Sequence, residues 1–297
     1  MTMLHGTWPA LITPFDRQNE VNITALRDLV DYLLAKQIDG FYVCGSTGEG
    51  LTMSVEERQR VAAAVLGQVS GRVPVIIHVG AVAAVDAVAL AQHAREHGAT
   101  AISSIIPPRY NTQDAVVSYF ETLINAVPGL GVLPYLLKPQ IDALSLMRTL
   151  IDHPSIEGSK YTGADMNLLR QIIDLGSERD WTVFAGMDEH TVYAAMAGAS
   201  GHIGSTLNLM PGAYRQIRAL VERGQFAEAQ HLQDRVNAII NLIYNTGRFS
   251  AGLKAAMAKL GLECGEPRLP ELPLSDAQKQ ALFTQLDATD FAELVAM

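Results

Sequence analysis

The chain has 297 residues, 48% of them hydrophobic, enough for one large α/β domain or two smaller ones. It carries 22 basic against 31 acidic residues, a formal charge of -9, so it lacks the basic footprint that grips phosphate backbones, and nucleic acid is excluded as a partner class. Residues 1–6 show neither the basic nor the apolar region of a secretory signal, and no apolar run reaches the roughly 18 residues of a membrane span, so a cytoplasmic protein without membrane contact is expected.

Eight short apolar runs are predicted strands: residues 9–13, 40–44, 75–79, 101–106, 131–135, 156–161, 182–185 and 201–204. Amphipathic segments separate them. The first carries Ile23, Leu26, Leu29, Val30, Leu33 and Leu34 at helical spacing, with Asn22 or Thr24 as its amino-terminal cap. This alternation predicts parallel pairing and a (β/α)8 TIM barrel. The alternative is an open doubly wound sheet, which would show a GxGxxG turn after its first strand; here the glycine-rich turn follows the second. After Gly224 the pattern changes to helices alone, over residues 226–244, 249–260 and 276–286, with a proline-bearing crossing at 265–273. The predicted organisation is a barrel of residues 1–224 carrying the active site, with a C-terminal helical extension, residues 225–297, packed on it.

Active sites of such barrels lie at the carboxyl ends of the strands, so the polar residues ending them are the candidates. Strand two ends in the turn Gly45-Ser46-Thr47-Gly48-Glu49-Gly50, strand five in Tyr135, strand six in Lys160 with Thr162, strand seven in Gly186 with Asp188 and Glu189, and strand eight in Ser205. A lysine that attacks a ketone must be neutral, whereas a free one has a pKa near ~10.4, so the fold must desolvate it or place it near positive charge. A glycine-rich turn offers backbone N–H groups to a carboxylate. Together they describe a 2-oxo acid held by its carboxylate while Lys160 forms a Schiff base with the neighbouring ketone. Tyr135 relays protons, and the protonated imine is the electron sink, so no separate cofactor is called for.

Each residue also has a structural reading. Tyr135 could be a core aromatic, Asp188 and Glu189 caps of the helix near His190, and Ser46 and Thr47 caps of the helix after strand two. Glu49 reads as an anchor within the turn. Cys44 reads as a small core residue, and with Cys264 as the only other cysteine there is neither a disulfide framework nor a thiolate zinc site. His78 and His202 lack a second histidine and a carboxylate at ligand spacing, so no metal site is expected.

The glycine-rich turn, Pro107-Pro108-Arg109-Tyr110-Asn111, Tyr135 and Gly158-Ser159-Lys160 resemble the pyruvate-dependent class I aldolases of the dihydrodipicolinate synthase and N-acetylneuraminate lyase family, in order and over nearly the whole chain. Ile77-His78-Val79-Gly80, Lys160-Tyr161-Thr162, Gly186-Met187-Asp188-Glu189, Gly204-Ser205-Thr206 and Pro267-Arg268-Leu269-Pro270 are similar to the sialic acid lyase branch. The resemblance implies a homotetrameric lyase that takes N-acetylneuraminate, or a related 2-oxo-3-deoxy sugar acid, to pyruvate and an aldehyde sugar. It assigns the carboxylate to Ser46 and Thr47, the proton relay to Tyr135 and the imine to Lys160. The polyhydroxylated tail falls to Thr162, Gly186, Asp188, Glu189, Gly204 and Ser205, and Tyr110 matches a tyrosine that reaches toward a neighbouring subunit's site. The run Tyr135-Leu136-Leu137-Lys138-Pro139 departs from the Asn or His, apolar residue and Pro common in relatives, and it lacks the arginine of the dihydrodipicolinate synthase branch. The nearest alternatives are a dehydratase or another condensation on the same scaffold, and a non-catalytic 2-oxo acid sensor.

Overall fold

The structure, a computed structural model, describes residues 4–297. Eight strands alternate with eight helices. The strands are β1 (Gly6–Pro9), β2 (Phe41–Val43), β3 (Val75–His78), β4 (Ala101–Ile105), β5 (Gly131–Leu137), β6 (Gly158–Thr162), β7 (Thr182–Ala185) and β8 (Gly201–Gly204). The helices are α1 (Ile23–Ala35), α2 (Val55–Val69), α3 (Ala84–Glu96), α4 (Gln113–Ala126), α5 (Ala143–Leu150), α6 (Met166–Gly176), α7 (Thr191–Met196) and α8 (Pro211–Glu222). Neighbouring strands pair in parallel, β2 through β8 in sequence and then β8 with β1. The ring closes where Ala10 bridges Tyr42 and the Leu11 N–H donates to the Tyr42 carbonyl at 2.8 Å. The (β/α)8 barrel expected from the eight apolar runs is the architecture that forms.

The first strand is a correction. It lies at Gly6–Pro9 rather than 9–13, because the four residues that match the length of β8 are those whose partners are Gly201–Gly204. Beyond it Ala10 makes one isolated bridge, to Tyr42, and the buried Leu11 and Ile12 leave the ladder; the Ile12 N–H goes to Asn208 Oδ1. Apolar periodicity reports burial, and over so few residues it cannot separate a strand from an irregular buried segment.

Local capping explains the helix starts. Asn22 caps α1 by accepting from the Ala25 N–H, and Ser54 caps α2 in a reciprocal box with Glu57, which leaves Ser46 and Thr47 free of a capping role. The extension comprises α9 (Phe226–Asn245), α10 (Phe249–Lys259), α11 (Asp276–Asp287) and α12 (Phe291–Ala296), one more helix than the sequence pattern predicts. Its buried Val236, Ile239, Leu282, Leu286 and Leu294 join the apolar layer between the barrel and its outer helices. A second, smaller apolar cluster fills the barrel interior with Trp8, Tyr42, Ile76, Leu133, Phe184 and Ile203, and Tyr135 stands at its upper edge.

Candidate active site

Strand alternation sends every second residue of β5 inward, so Leu133 and Tyr135 share the interior face. Lys160 pairs with Tyr135 across β5 and β6, and with Phe184 across β6 and β7, so its side chain enters the barrel at the level of these two rings. Lys160 is 5% exposed, and its amine lies 4.3 Å from the ring centroids of both Tyr135 and Tyr42. Burial pushes the Lys160 amine below the usual lysine range, against the opposing pull of Tyr135 and Asp188. The geometry therefore supplies the desolvation that a nucleophilic lysine requires.

The two tyrosine rings beside this amine form a trio with His78. Tyr42, Tyr135 and His78 stand at centroid separations of 6.1, 6.2 and 6.3 Å, two of the three pairs edge-to-face. The Tyr42 hydroxyl bonds Ser103 Oγ at 3.1 Å, and Ser103 donates to the Leu133 carbonyl. His78 Nε2 lies 3.1 Å from the Ile105 N–H and so accepts, which leaves Nδ1–H to donate to the Cys44 carbonyl at 3.0 Å. Burial, then the Arg58 and Lys160 charges, hold His78 well below the usual imidazole value, so it is neutral. Both ring nitrogens are engaged, and His78 serves the frame. Buried Arg58 of α2 donates to the carbonyls of Gly80 and His78 and fixes the end of β3. Cys44 is fully buried, and burial pushes its thiol up to about 11, in line with a core role.

The turn after β2 sits at the rim, with Ser46 exposed and Thr47 half-buried. The backbone N–H groups of Ser46 and Thr47 have no partner among the described residues. Thr47 Oγ1 bonds Ser205 Oγ at 2.6 Å, joining the turn to the end of β8. Thr162 Oγ1 donates to the Tyr135 hydroxyl at 3.4 Å. Gly186 allows these groups to converge: a Cβ there would lie 2.0 Å from Thr162 Oγ1 and 3.0 Å from Lys160 Cε. Gly204 does the same for Asp188, whose Oδ1 would stand 1.6 Å from an added Cβ.

Beside this cluster lies a cavity of about 450 Å3. Thr162, Gly186, Asp188, Glu189 and Ser205 line it together with Lys138, Ile240, Tyr244 and Phe249. The two acids have different surroundings. Asp188 is buried, with Oδ1 2.9 Å from His202 Nε2 and Oδ2 accepting from the Thr206 N–H and hydroxyl at 2.7 and 2.6 Å. Burial would raise its carboxyl, but the His202 and Thr206 hydrogen bonds outweigh it and hold the group below the usual carboxylate range. Glu189 is half-buried and its carboxylate neighbours the Tyr244 phenol, which burial, Glu189 and Asp188 push up to about 12. Neither acid caps α7 with its side chain. Tyr110 is not among the cavity residues; its hydroxyl donates to the Val82 carbonyl and its ring packs 5.0 Å from Tyr119.

The sequence reading passed over Tyr42, hidden in a uniformly apolar run, and over Ile240, Tyr244 and Phe249, which come from α9 and α10 and extend the site beyond the barrel. Strand alternation could have flagged Tyr42 as inward; only the packing of the extension reveals the other three.

The sequence profile of the Dihydrodipicolinate synthetase family matches residues 3–289. The chain belongs to that family. Among its curated relatives, an N-acetylneuraminate lyase from Citrobacter koseri is 36% identical over 259 residues, 86% of each chain. The solved N-acetylneuraminate lyase of Proteus mirabilis superposes with a TM-score of 0.93 at 29% identity, covering 98% of this chain and 100% of the other. That of Fusobacterium nucleatum, solved with pyruvate, gives 0.89 at 28% identity over 96% and 97%. Among the described residues, no helix is long and apolar enough to cross a membrane.

Proposed function

We propose that this family member is a class I aldolase that cleaves N-acetylneuraminate, or a related 2-oxo-3-deoxy sugar acid, to pyruvate and an aldehyde sugar through a Schiff base on Lys160. The observation that carries the reading is a desolvated lysine amine enclosed by Tyr135 and Tyr42 at the mouth of the barrel. Relatives named N-acetylneuraminate lyase supply the substrate class.

The free N–H groups at Ser46 and Thr47 receive the substrate carboxylate. The neutral amine adds to C2, and loss of water, with protons passing through the Tyr135 hydroxyl, gives the protonated imine. Removal of the C4 hydroxyl proton by the same phenol system breaks the C3–C4 bond. The electron pair enters the imine as an enamine, and the aldehyde leaves. Protonation at C3 and hydrolysis release pyruvate and regenerate Lys160. The Thr162 hydroxyl keeps the Tyr135 oxygen directed into the site. Glu189, Ser205 and the wall of Ile240, Tyr244 and Phe249 receive the tail, with Glu189 accepting from its hydroxyls. Asp188, whose oxygens are already engaged, shapes the pocket from behind.

A second reading concerns the aldehyde. Lys138, at φ 43° after β5, puts a cationic side chain on the cavity wall, which favours an acceptor other than N-acetylmannosamine or another reaction on the scaffold. Product analysis tests both: a lyase releases pyruvate in step with substrate loss, whereas a dehydratase retains every carbon, and binding without turnover marks a sensor. The expected setting is a cytoplasmic homotetramer. The exposed Val82 and Val85, beside the Tyr110 hydroxyl, support a subunit contact there, and sedimentation tests it.

A further inference from the structure

The glycine-rich turn is gripped from outside the barrel. Glu49 is the one non-glycine residue of Gly45-Ser46-Thr47-Gly48-Glu49-Gly50 in the left-handed region, at φ 53°. Its carboxylate is buried between two groups of the extension. Lys254 Nζ of α10 lies 2.6 Å from Oε1, and the Arg268 N–H donates to Oε2 at 2.7 Å. Lys254 also donates to the Glu266 carbonyl and lies 4.3 Å over the Phe15 ring, while Arg268 forms a bidentate pair with Glu57. The backbone of the turn transmits this grip. The Glu49 N–H donates to the Ser46 carbonyl at 3.1 Å, and the Gly50 N–H to the Gly45 carbonyl at 3.0 Å. Each carbonyl shares a trans peptide plane with the next N–H and points opposite to it. Fixing the carbonyls of Gly45 and Ser46 therefore aims the N–H groups of Ser46 and Thr47 away from the turn, where a carboxylate is to be received. Buried ion pairs are seldom net stabilisers compared with apolar packing, so stability alone gives a weak reason for placing one here.

We propose that Glu49 and Lys254 are positioning residues that set the affinity for the 2-oxo acid, so that the extension controls the carboxylate end of the site. The inference rests on the aldolase reading given above. Helix α10 also carries Phe249 of the tail cavity, so one rigid element borders both ends of the substrate.

The test measures inactivation by borohydride at increasing pyruvate, which separates half-saturation from the limiting rate. Lys254→Met should raise the half-saturating pyruvate concentration at least about tenfold and leave the limiting rate within about threefold, the pattern of lost ground-state binding. Lys254→Met leaves Glu49 buried and unpaired and can fold poorly, so Glu49→Gln/Lys254→Met, which buries no charge, is the second variant. It should recover the melting temperature and keep the raised half-saturation. If half-saturation returns to the wild-type value together with the melting temperature, or never rises, the pair only supports the fold and the inference falls while the aldolase reading stands. A wild type that is not inactivated removes both.

Discussion

Lys160 Nζ lies 4.3 Å from the ring centroid of Tyr135, the residue in register with it on the adjacent strand. Two effects compete at this contact. An aromatic face favours the ammonium by about 0.5–2 kcal/mol, whereas taking the charge out of water disfavours it. Burial wins, and the amine titrates below the ordinary lysine value.

Imine formation should accordingly rise with pH along a curve whose midpoint falls below the ~10.4 of a free lysine. The rate of borohydride inactivation at fixed pyruvate, followed from about pH 6 to about pH 11.5 in steps of about one unit, gives that midpoint directly. A midpoint at the free-lysine value would contradict the desolvated site.

The same shift has a cost in stability. Because the folded value lies below the unfolded one, the fold binds this proton more weakly than the unfolded chain does. The penalty is absent above the unfolded value and grows as pH falls through the window between the two. Lys160→Met removes it, so the variant should be inactive yet melt a few degrees higher than wild type near neutral pH, with the advantage shrinking toward about pH 10. Thermal melts of both proteins across that range check the sign.

Tyr135→Phe removes the proton relay and keeps the ring beside the amine. Turnover should fall by about 10²–10⁴. Pyruvate should still label Lys160, more slowly, which mass spectrometry of the trapped protein would detect.

The barrel was legible in the sequence because each strand is a short apolar run and each intervening segment has helical spacing. Lys160, Tyr135, Thr162, Ser205 and the turn were legible because polar residues at strand ends are conspicuous. Other parts were not. The first strand shifted because 10–12 are buried yet pair only through one isolated bridge, Ala10 with Tyr42. Asp188 and Glu189 look alike in sequence, but only contacts from β8, through His202, and from the following turn, through Thr206, show which acid is already occupied. Tyr244 and Phe249 enter the cavity from helices far along the chain, a long-range packing outcome that no local pattern encodes.

That difference between the two acids gives a prediction. Asp188→Asn presents an amide NH2 that is matched only if His202 switches tautomer, and it replaces charge-assisted hydrogen bonds from His202 and Thr206 by weaker neutral ones, at a cost of about 1–3 kcal/mol. It should lower the melting temperature and reduce use of long and short substrates alike. Glu189→Gln should melt near wild type and raise KM for the hydroxylated substrate selectively. Steady-state kinetics with N-acetylneuraminate beside pyruvate half-saturation separates them, and equal losses in both variants would contradict the assignment.

Gly186→Ala places a methyl against Thr162 Oγ1 and Lys160 Cε. Displacing reacting groups by about 1 Å can cost about 100-fold, so kcat should drop by at least about tenfold. Wild-type kcat in a folded variant would mean that these groups need not be so closely set.

The central claim is tested most directly by reducing the protein with borohydride in the presence of pyruvate and mapping the adduct by peptide mass spectrometry. The account predicts one reduced pyruvyl adduct, on Lys160, absent from Lys160→Met. Folded wild-type protein with no adduct, or with the adduct on another lysine, would contradict it.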